Sequence, residues 1–518
     1  MSKNKEKYYI STPIYYVNSH PHIGHAYTTI ACDTMARYQK LLGKDVFFLT
    51  GTDEHGDKIV KAATQSSKTP EEYTNEISNE FKKTWENLHI CNDDFIRTTE
   101  ERHKKVVQTI LNRIYDKGDI YLSEYEGKYC TGCERYLTEK ELTEEGKCPD
   151  HQKKPDIIKE ENYFFKMQKY LPIWEDILKK NPDKVRPERY YNEVLATIKE
   201  LISLEDDLSI SRPKKRLDWG IELPFDKEYV TYVWFDALIN YISGIGFPDD
   251  EKYKTFWPNS RHMIAKDILK PHAIYWPVML LAADIPVYKQ LQTHGYWLGW
   301  GDMKMSKTLG NAMEPVSLSE KIGEDSLRFF LMREMSFGSD SRFNEEILYK
   351  RLNQDLSNDL GNLLQRTLSM IKKYFEGEIN ISEKEHSCAG EINELFKKKN
   401  LLYHENFEKF HFHRAIEEIF EIIRRLNQLI EEKKPWAMAK ENKIELSAFL
   451  HTLLKAISGT LFYLKPVLPN KTNEILNLLK ISSQKNFPES IGDIILENVT
   501  LDTWPIYFPR FQVAADSI

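Results

Sequence analysis

The chain has 518 residues with 41% hydrophobic and 29% charged content, which exceeds one ordinary core and suits a soluble globular enzyme of about three structural units. No apolar run approaches the length of a membrane span, and residues 1–7 lack the apolar stretch of a secretory signal, so we expect a cytoplasmic protein without a membrane partner. A net charge of -7 argues against general adhesion to nucleic acid, but it allows a local basic surface for one shaped RNA.

The first predicted elements form a βαβ unit. Residues 8–12 predict a short buried strand, which Pro13 ends. Apolar residues then follow helical spacing as far as Gly43, and residues 46–49 predict the next strand. A strand, a helix and a strand joined by short connections predict a parallel sheet, with ligands bound beyond the carboxyl ends of its strands.

Two histidines stand at the start of the predicted helix. His22 and His25 lie three residues apart, so both imidazoles can point to one side, where free backbone N–H groups favour a phosphate. Gly24 between them lets a ligand approach the backbone. The alternative is that these histidines only cap the helix or lie on the surface.

A polar turn bounded by Gly51 and Gly56 follows the second strand. Within it, Asp53 has a carboxylate that could hold an ammonium group or could cap the following helix. Residues 57–115 look helical throughout and contain no recognisable chemistry.

Three of the six cysteines cluster in a pattern typical of a zinc knuckle. Cys130 and Cys133 form a Cys-x-x-Cys pair, and Cys148 and His151 form a Cys-x-x-His pair after a loop of suitable length. Four ligands close a tetrahedron, which makes such a zinc structural; the alternative is four incidental residues. The other cysteines stand alone, so the pattern is not a disulfide framework. The surrounding segment, from about 118 to 225, is interpreted as an insertion that interrupts the sheet.

Regular α/β patterning returns in residues 229–236, which predict a strand that includes the aromatic residue Trp234. Residues 262–268 predict another strand that ends in charged residues, and His272 and a further helix follow it. These aromatic residues could equally be simple core. A loop follows with Lys304, Ser306, Lys307 and Thr308 between glycines, and its two cations could fold over a polyphosphate.

From about residue 345 the sequence predicts a helix bundle, because two apolar stripes at helical spacing run through residues 416–430 and 450–461. Asn362 and Arg366 lie one helical turn apart. Pro435 and Trp436 end the next long helix and could present an indole for stacking on single-stranded bases. Alternatively, Trp436 plugs the end of the bundle.

The two phosphate-binding stretches together are specific. His22-Ile23-Gly24-His25 and Lys304-Met305-Ser306-Lys307-Thr308 resemble the paired signatures of class I aminoacyl-tRNA synthetases. Further stretches resemble the methionyl-tRNA synthetase family: residues 12–18, 51–56 and 232–237, and Lys266-Asp267-Ile268 with His272 and Trp276. The resemblance covers nearly the whole chain and implies the bacterial or organellar type with a single zinc knuckle.

The resemblance implies a fold class and domain bounds. The fold is α/β, with a Rossmann-like parallel-sheet catalytic domain, a zinc-binding connective insertion and then an all-α helix-bundle anticodon-binding domain. The implied ranges are 1–117 and 226–295 for the two catalytic halves, 118–225 for the insertion, 296–345 for the Lys-Met-Ser-Lys loop with the stem-contact region, and 346–518 for the anticodon domain.

The resemblance also implies site residues for each ligand. The methionine pocket would comprise Pro13, Ile14, Tyr16, Asp53 on the ammonium group, Trp234, Leu238, Tyr241, Ile268 and His272. ATP, entering with Mg²⁺, would contact His22, Gly24, His25, Asp267, Lys304, Lys307 and Thr308. Thr308 stands where the family usually has Ser, which keeps the hydroxyl. The CAU anticodon of initiator and elongator tRNA(Met) would contact Asn362, Arg366, Pro435 and Trp436.

Such an enzyme joins methionine to AMP with release of pyrophosphate and then transfers it to tRNA, by positioning and electrostatics without a side-chain nucleophile. We expect a monomer, because the chain stops at Ile518 without the domain that some relatives append. Two alternatives stay open. One is a synthetase for another apolar amino acid, such as leucine or cysteine, and the other is a non-catalytic RNA-binding protein on a synthetase scaffold.

Overall fold

The computed structural model describes residues 5–130, 135–137, 141–149, 152–299 and 313–512. Its contacts divide the chain into two compact units. The first unit comprises Met1–Pro21 and Asp45–His294, and the second comprises His22–Lys44 and Gly295–Ile518. Within the described ranges, no helix is both long enough and apolar enough to cross a bilayer.

The longest described strands, β3, β5 and β7, all lie in the first half of the chain. They are β1 Lys7–Ser11, β2 Tyr15–Tyr16, β3 Asp45–Asp53, β4 Asp94–Arg97, β5 Ile120–Cys130, β6 Arg135–Leu137, β7 Asp156–Phe165, β8 Val185–Arg186, β9 Leu208–Ser209, β10 Ser211–Pro213, β11 Glu222–Leu223, β12 Asp226–Thr231, β13 Ser260–Ala265, β14 Gln290–His294, β15 Trp297–Leu298, β16 Ser341–Arg342, β17 Ile481–Ser483 and β18 Ile494–Leu496.

The longest helices lie in the last third of the chain. The helices are α1 Ile23–Leu41, α2 Asp57–Gln65, α3 Pro70–Asn87, α4 Glu101–Asp116, α5 Leu171–Lys180, α6 Glu188–Leu204, α7 Val233–Leu238, α8 Asn240–Ser243, α9 Glu251–Phe256, α10 Trp276–Ala282, α11 Pro315–Ile322, α12 Glu324–Glu334, α13 Glu345–Arg351, α14 Asn362–Phe375, α15 Ala389–Glu408, α16 Phe412–Lys433, α17 Pro435–Glu441, α18 Lys443–Leu464 and α19 Pro469–Leu478. Segments Pro271–Tyr275 and Leu352–Gly361 are π-helical, and Lys266–Ile268 is a 3₁₀ turn.

A parallel sheet forms the centre of the first unit. Its strands run in the order β3, β1, β13, β14, β8, and every pair is parallel. Strand β2 continues from β1 past Pro13 and pairs with the end of β3, and β4 also pairs with β3. The predicted parallel-sheet architecture is confirmed, and the carboxyl ends of β3, β1 and β13 therefore lie side by side.

Strand β3 is longer than the sequence indicates. The predicted turn at Gly51 is wrong, because the strand continues to Asp53 and Gly51 pairs with Ile96 of β4. A Cβ atom on Gly51 would lie 2.0 Å from the Ile96 carbonyl oxygen, so this strand position tolerates only glycine. The prediction of helix throughout residues 57–115 is also wrong, since β4 separates α3 from α4. A strand of four residues is too short to show an alternating pattern.

Trp234 lies on a helix, not on a strand. Strand β12 ends at Thr231 and belongs to a small antiparallel sheet with β10 and β11, and α7 begins at Val233. The strand prediction for residues 232–236 is therefore wrong. A short aromatic run fits either structure, and here the tertiary contacts of Asp236 described below favour the helical turn.

The predicted insertion forms its own antiparallel sheet but also joins the parallel one. Strand β7 pairs with β5 over ten residue pairs and with β9, and β5 pairs with β6. Strand β8 lies within residues 118–225 and nevertheless pairs with β14 of the parallel sheet. The segment interpreted as an insertion therefore also supplies an edge strand of the parallel sheet.

In the second unit, α1 packs against helices that come hundreds of residues later. Asp33 of α1 and Arg328 of α12 form an ion pair of 2.6 Å with both side chains fully buried. Tyr38 stacks on Phe407 of α15 at 4.3 Å between ring centroids, and its hydroxyl lies 2.7 Å from Nδ1 of His404. These contacts attach the helix that follows β1 in the chain to the carboxyl-terminal helices.

The helical carboxyl-terminal region is confirmed. The two apolar stripes lie on α16 and α18, and their members are all buried: Ile416, Ile419, Phe420, Ile423, Leu426 and Ile430 on α16, and Leu450, Leu453, Leu454, Ile457 and Leu461 on α18. They form bundle core, as their spacing predicts.

Candidate active site

The two histidines at the start of α1 cap that helix. His22 is the N-cap with extended backbone, at φ -137° and ψ 172°, and its Nδ1 accepts a hydrogen bond of 3.1 Å from the Gly24 N–H. The His22 N–H in turn donates to Nδ1 of His25 at 3.4 Å. The two rings stack with their centroids 3.7 Å apart, so the spacing does place both imidazoles on one side.

These bonds decide the histidine tautomers and the need for glycine. Because Nδ1 of each ring accepts a backbone N–H, the proton of each neutral ring is on Nε2, which makes Nε2 a hydrogen-bond donor. A Cβ on Gly24 would lie 2.9 Å from Cε1 of His22, so a larger residue would push the His22 ring away. The arrangement suits donation to phosphate oxygens at the amino end of a helix.

The segment that comes after the second signature is hydrogen-bonded to the start of α1. The Ile23 N–H donates to the Met313 carbonyl at 3.1 Å, and Met313 comes six residues after Lys307. Lys304, Lys307 and Thr308 themselves lie outside the described residues. The bond nevertheless ties the segment that follows the lysine loop to the residue between His22 and Gly24, all within the second unit.

The first group of predicted methionine contacts lies at the ends of β2 and β3 in the first unit. Tyr16 is paired in register with Asp53, and the Val17 N–H donates to the Asp53 carbonyl at 3.2 Å. Asp53 is 8% exposed. Pro13 is buried, and the half-buried Ile14 packs against the apolar core of the unit. The structure thus brings Tyr16 and Asp53 together at one sheet edge.

The second group forms an aromatic wall in the same unit. The ring of His272 lies 6.2 Å from Trp234 and 5.8 Å from Tyr241, in both cases edge to face. Leu238 and Tyr241 are buried, whereas Trp234 and Ile268 are partly exposed and pack on the core. A wall of ring faces and edges with little polarity suits a polarizable thioether.

His272 is held as a neutral ring with one tautomer. Its Nδ1–H donates to the Ile268 carbonyl at 2.8 Å, so Nε2 accepts, and the Tyr241 hydroxyl donates to it at 2.7 Å. Burial lowers the pKa of His272 from 6.5 to about 4. The site therefore presents an uncharged imidazole at neutral pH.

Asp267, predicted to contact the ribose, is exposed in the 3₁₀ turn directly after β13. The sheet order puts the carboxyl end of β13 beside β1 and next but one to β3, which ends at Asp53. Predicted ligands of the amino acid and of the nucleotide therefore share one edge of the parallel sheet, where such folds bind ligands.

A buried polar network beside this wall is absent from the sequence-based predictions. Asp236 of α7 accepts from Nδ1 of His55 at 2.6 Å and from Nε2 of His103 at 2.7 Å, and Nδ1 of His103 lies 2.8 Å from the Ser243 hydroxyl. All four side chains are buried. Burial raises the pKa of Asp236, but the charges and hydrogen bonds of His55 and His103 outweigh burial and hold that pKa below its ordinary value. The residues lie far apart in the chain, so no local pattern could have linked them.

Arg212 is another buried polar residue in this unit. Its side chain is 2% exposed, and its guanidinium lies 4.7 Å from the ring centroid of Tyr232 and 5.3 Å from that of Tyr129. It lines a small cavity with Gly56, of about 10 Å³. A buried cation therefore lies near the residues that follow Asp53. A lone arginine in a polar segment carries no sequence signal.

Two of the four predicted zinc ligands are described. Cys130 ends β5, and the Cys148 carbonyl accepts a hydrogen bond of 2.8 Å from the Gln152 N–H. They are 4% and 0% exposed and belong to one small buried cluster with Leu137. Cys133 and His151 lie outside the described residues. Within the described part of the chain, no three His, Cys, Asp or Glu side chains form a group that could hold a metal ion.

The predicted anticodon contacts lie near the ends of helices in the second unit. Asn362 is exposed at the start of α14, and Arg366 donates to Glu431 of α16 at 2.7 Å. After α16, Lys434 adopts a left-handed backbone with φ 47°, and α17 begins with buried Pro435. Trp436 is 44% exposed, so its indole is accessible at this helix start.

Comparison with known proteins covers nearly all of the chain. The family model described as tRNA synthetases class I (M) matches residues 8–156 and 150–368, and the model described as the anticodon-binding domain of tRNA ligase matches residues 391–512. The chain is 42% identical to a methionine–tRNA ligase of Fusobacterium nucleatum subsp. nucleatum, over 99% of this chain and 81% of that protein. It is 41% identical to a methionine–tRNA ligase of Bacillus subtilis, over 93% of this chain and 74% of that protein.

The fold is similar to a crystal structure of Mycobacterium tuberculosis methionyl-tRNA synthetase bound by methionyl-adenylate. The TM-score is 0.91 at 34% sequence identity, covering 97% of this chain and 100% of that one. The class I family model, the curated relatives and the solved structure all indicate the family that the sequence motifs resemble. The chain therefore belongs to the methionyl-tRNA synthetase family, the bacterial methionine–tRNA ligases of class I.

Proposed function

We propose that this chain activates methionine with ATP, giving methionyl-adenylate and pyrophosphate, and then transfers the methionyl group to initiator and elongator tRNA(Met). The observation that carries the proposal is the 42% identity to a methionine–tRNA ligase across 99% of the chain. The neutral His272 and its aromatic neighbours support the choice of a thioether amino acid, because a charged or strongly polar wall would favour another substrate.

Methionine would lie between the two groups of residues described in the first unit. Asp53 would hold the ammonium group, and Pro13, Ile14 and Tyr16 would line one side. The other side would comprise Trp234, Leu238, Tyr241, Ile268 and His272. The Tyr241 hydroxyl is engaged by His272 at 2.7 Å, so its hydrogen bond is satisfied before any ligand enters and the wall stays apolar.

ATP would enter as its magnesium complex. Nε2–H groups of His22 and His25 would donate to phosphate oxygens, and Gly24 would let the phosphate approach the backbone. Asp267 would bind the ribose, and Lys304, Lys307 and Thr308 would contact the triphosphate. A carboxylate oxygen of methionine attacks the α-phosphorus, the bond to the bridging oxygen breaks, and pyrophosphate leaves. The chain's part is to align these groups and to stabilise the developing charge.

The domain ranges implied by the resemblance form part of the proposal. Residues 1–117 and 226–295 would make the catalytic domain, 118–225 the connective insertion, 296–345 the loop and stem-contact region, and 346–518 the anticodon domain. In the last, Asn362, Arg366, Pro435 and Trp436 would read the anticodon, supported by the exposed indole of Trp436 and the partly exposed guanidinium of Arg366. A cytoplasmic location stays a prediction.

The proposed function includes one structural zinc ion held by Cys130, Cys133, Cys148 and His151. Two buried cysteine side chains in one small cluster fit a metal knuckle. Zinc would link the end of β5 to the segment at Cys148, and it would take no part in the reaction.

Metal analysis tests the zinc proposal. We expect one equivalent of zinc in the purified protein and loss of most of it in Cys133→Ser. Cys91→Ser, which changes an exposed cysteine outside the cluster, should keep the full equivalent. Full zinc in Cys133→Ser would rule out this ligand set.

ATP–pyrophosphate exchange without tRNA tests the activity itself. The assay would compare methionine, leucine, isoleucine, valine and cysteine. We expect exchange with methionine alone. Exchange with another amino acid would keep the fold and mechanism and overturn the methionine pocket, whereas no exchange from folded, zinc-loaded protein would favour the RNA-binding alternative.

A further inference from the structure

The buried carboxylate of Asp236 joins two segments that carry proposed methionine contacts. Asp236 lies between Trp234 and Leu238 on α7, two residues from each. Its partner His55 comes two residues after Asp53, the proposed ammonium ligand. The 2.6 Å bond between Asp236 and His55 therefore connects the wall of the site directly to its charged end.

Helix α7 depends on such contacts for its position. It has only six residues, and a helix of that length has no stability of its own in water. The second oxygen of Asp236 accepts from His103 of α4, and His103 lies beside Ser243 of α8. One carboxylate thus attaches α7 to the end of β3 and to α4.

The partner segment is fixed by independent contacts. The Trp219 indole N–H donates to the Glu54 carbonyl at 2.6 Å, and its ring lies 5.7 Å from His55. The Glu54 side chain accepts from Nε of Arg97 at 2.7 Å and from Nη2 at 2.9 Å. The end of β3 is therefore a firm support, and of the two joined segments α7 is the one free to shift if the bond is lost.

We propose that Asp236 is a positioning residue for amino-acid binding, which holds α7 so that Trp234 and Leu238 meet the methionine side chain while Asp53 holds its ammonium group. The inference rests on the proposed function. Neither His55 nor Asp236 would touch the substrate. Their bond sets the distance between the wall and the ammonium ligand, so its loss weakens methionine binding selectively and leaves ATP binding unchanged.

The decisive measurement compares the KM values for methionine and ATP in Asp236→Asn. Asparagine keeps the shape but cannot accept from both histidines as the carboxylate does. We expect the KM for methionine to rise about tenfold or more, with the KM for ATP changed less than about twofold. A matched control is Asp119→Asn, which alters another buried aspartate that accepts from Lys169 and Tyr170. It should leave both KM values unchanged.

A pair of His55 variants keeps the proposal testable if Asp236→Asn folds poorly. In His55→Asn the amide nitrogen can stand near the position of Nδ1 and still donate to Asp236, whereas His55→Ala removes the donor. We expect His55→Ala to raise the KM for methionine and His55→Asn to restore most of the loss. Equal KM values for methionine in wild type and His55→Ala, or parallel rises in both KM values, would overturn the proposal.

Amide hydrogen exchange separates failure of this inference from failure of the proposed function. Without any ligand, the amide hydrogens of residues 233–238 should exchange faster in His55→Ala than in the wild type, while residues 45–53 stay protected in both. If the wild type shows no methionine-dependent ATP–pyrophosphate exchange, the proposed function fails. The amide protection data alone then decide whether the bond holds α7. If the wild type is active and the amide exchange of residues 233–238 is the same in His55→Ala as in the wild type, only the positioning role is overturned.

Discussion

The wall around His272 and the surface around Trp436 use similar side chains in opposite ways. In the first unit, aromatic rings surround a buried histidine whose two nitrogens are both hydrogen-bonded. In the second unit, the Trp436 indole is 44% exposed at a helix start, and Arg366 forms an ion pair at the surface with Glu431.

The difference reflects the sizes of the ligands. A small amino acid is selected by a site that is already desolvated and internally satisfied, because little binding energy is then lost in ordering the site. Single-stranded RNA supplies large base faces, so an accessible ring suffices to bind it. Changes in the first region should therefore affect amino-acid activation, and changes in the second should affect tRNA charging only.

The largest effect is expected from Lys307→Ala. If this lysine acts on the leaving pyrophosphate, its loss should slow activation by on the order of a hundredfold or more, the scale of one preorganised contact to the transition state. Methionine binding, measured by calorimetry, should change little. Lys321→Ala on α11 is the control, because it also removes one lysine charge, in this case a charge that pairs with Glu345. A Lys307→Ala protein with normal exchange would contradict the assignment.

Trp436→Ala should weaken tRNA charging by roughly tenfold or more, the cost of one base–aromatic stack, and leave adenylate formation nearly unchanged. Trp436→Phe retains a ring face and should lose less. Leu401→Ala removes another exposed apolar side chain, 71% exposed on α15, and should charge tRNA normally. Equal losses of activation and charging in Trp436→Ala would break the contrast between the two regions.

Tyr241→Phe should cost about 2 kcal/mol of unfolding free energy, because it leaves Nε2 of buried His272 without its donor. The KM for methionine should rise several-fold with it. Tyr9→Phe removes a comparable buried hydroxyl, which donates to the Tyr241 carbonyl at 2.8 Å. It should lower stability in urea titrations without changing that KM. If the KM for methionine rises in Tyr9→Phe as well as in Tyr241→Phe, the Tyr241 hydroxyl acts through stability alone.

The smallest expected effect is the change of the unfolding free energy with pH. The folded pKa of His272 is about 4, below the ordinary 6.5, so the unfolded chain takes up the proton first. The stability that the neutral ring contributes is fully present above pH 6.5 and falls as the pH drops towards 4. The loss should be about 1 kcal/mol between pH 7.5 and pH 5.5. His272→Gln, which cannot titrate there, should lack that component in urea unfolding at both pH values.

Several features could be predicted from the sequence because they depend on local spacing. The βαβ start, the helix ending near Gly43 and the two apolar stripes of the bundle all follow from periodicity and are present. A helix stop at Pro435 allows either an accessible Trp436 indole or one that plugs the end of the bundle, and only the structure shows that this side chain is 44% exposed. The roles of these site residues stay predictions, to be tested as above.

Other features could not be read locally. Strand β4 has four residues, and its pairing with Gly51 is visible only as a close approach of two backbones. The run from Tyr232 to Asp236 fits a strand or a helix equally well. Its helical form depends on His55 and His103, which are 181 and 133 residues away from Asp236.

The sequence by itself determined the family, the order of the phosphate-binding signatures and the kinds of side chain offered to each ligand, since these depend only on residue identity and spacing. Tertiary structure alone decided that His272 is neutral with its proton on Nδ1, and that Asp236 joins α7 to the end of β3. Protonation and long-range pairing both depend on which distant groups lie around a side chain and exclude water from it, and chain order does not specify those neighbours.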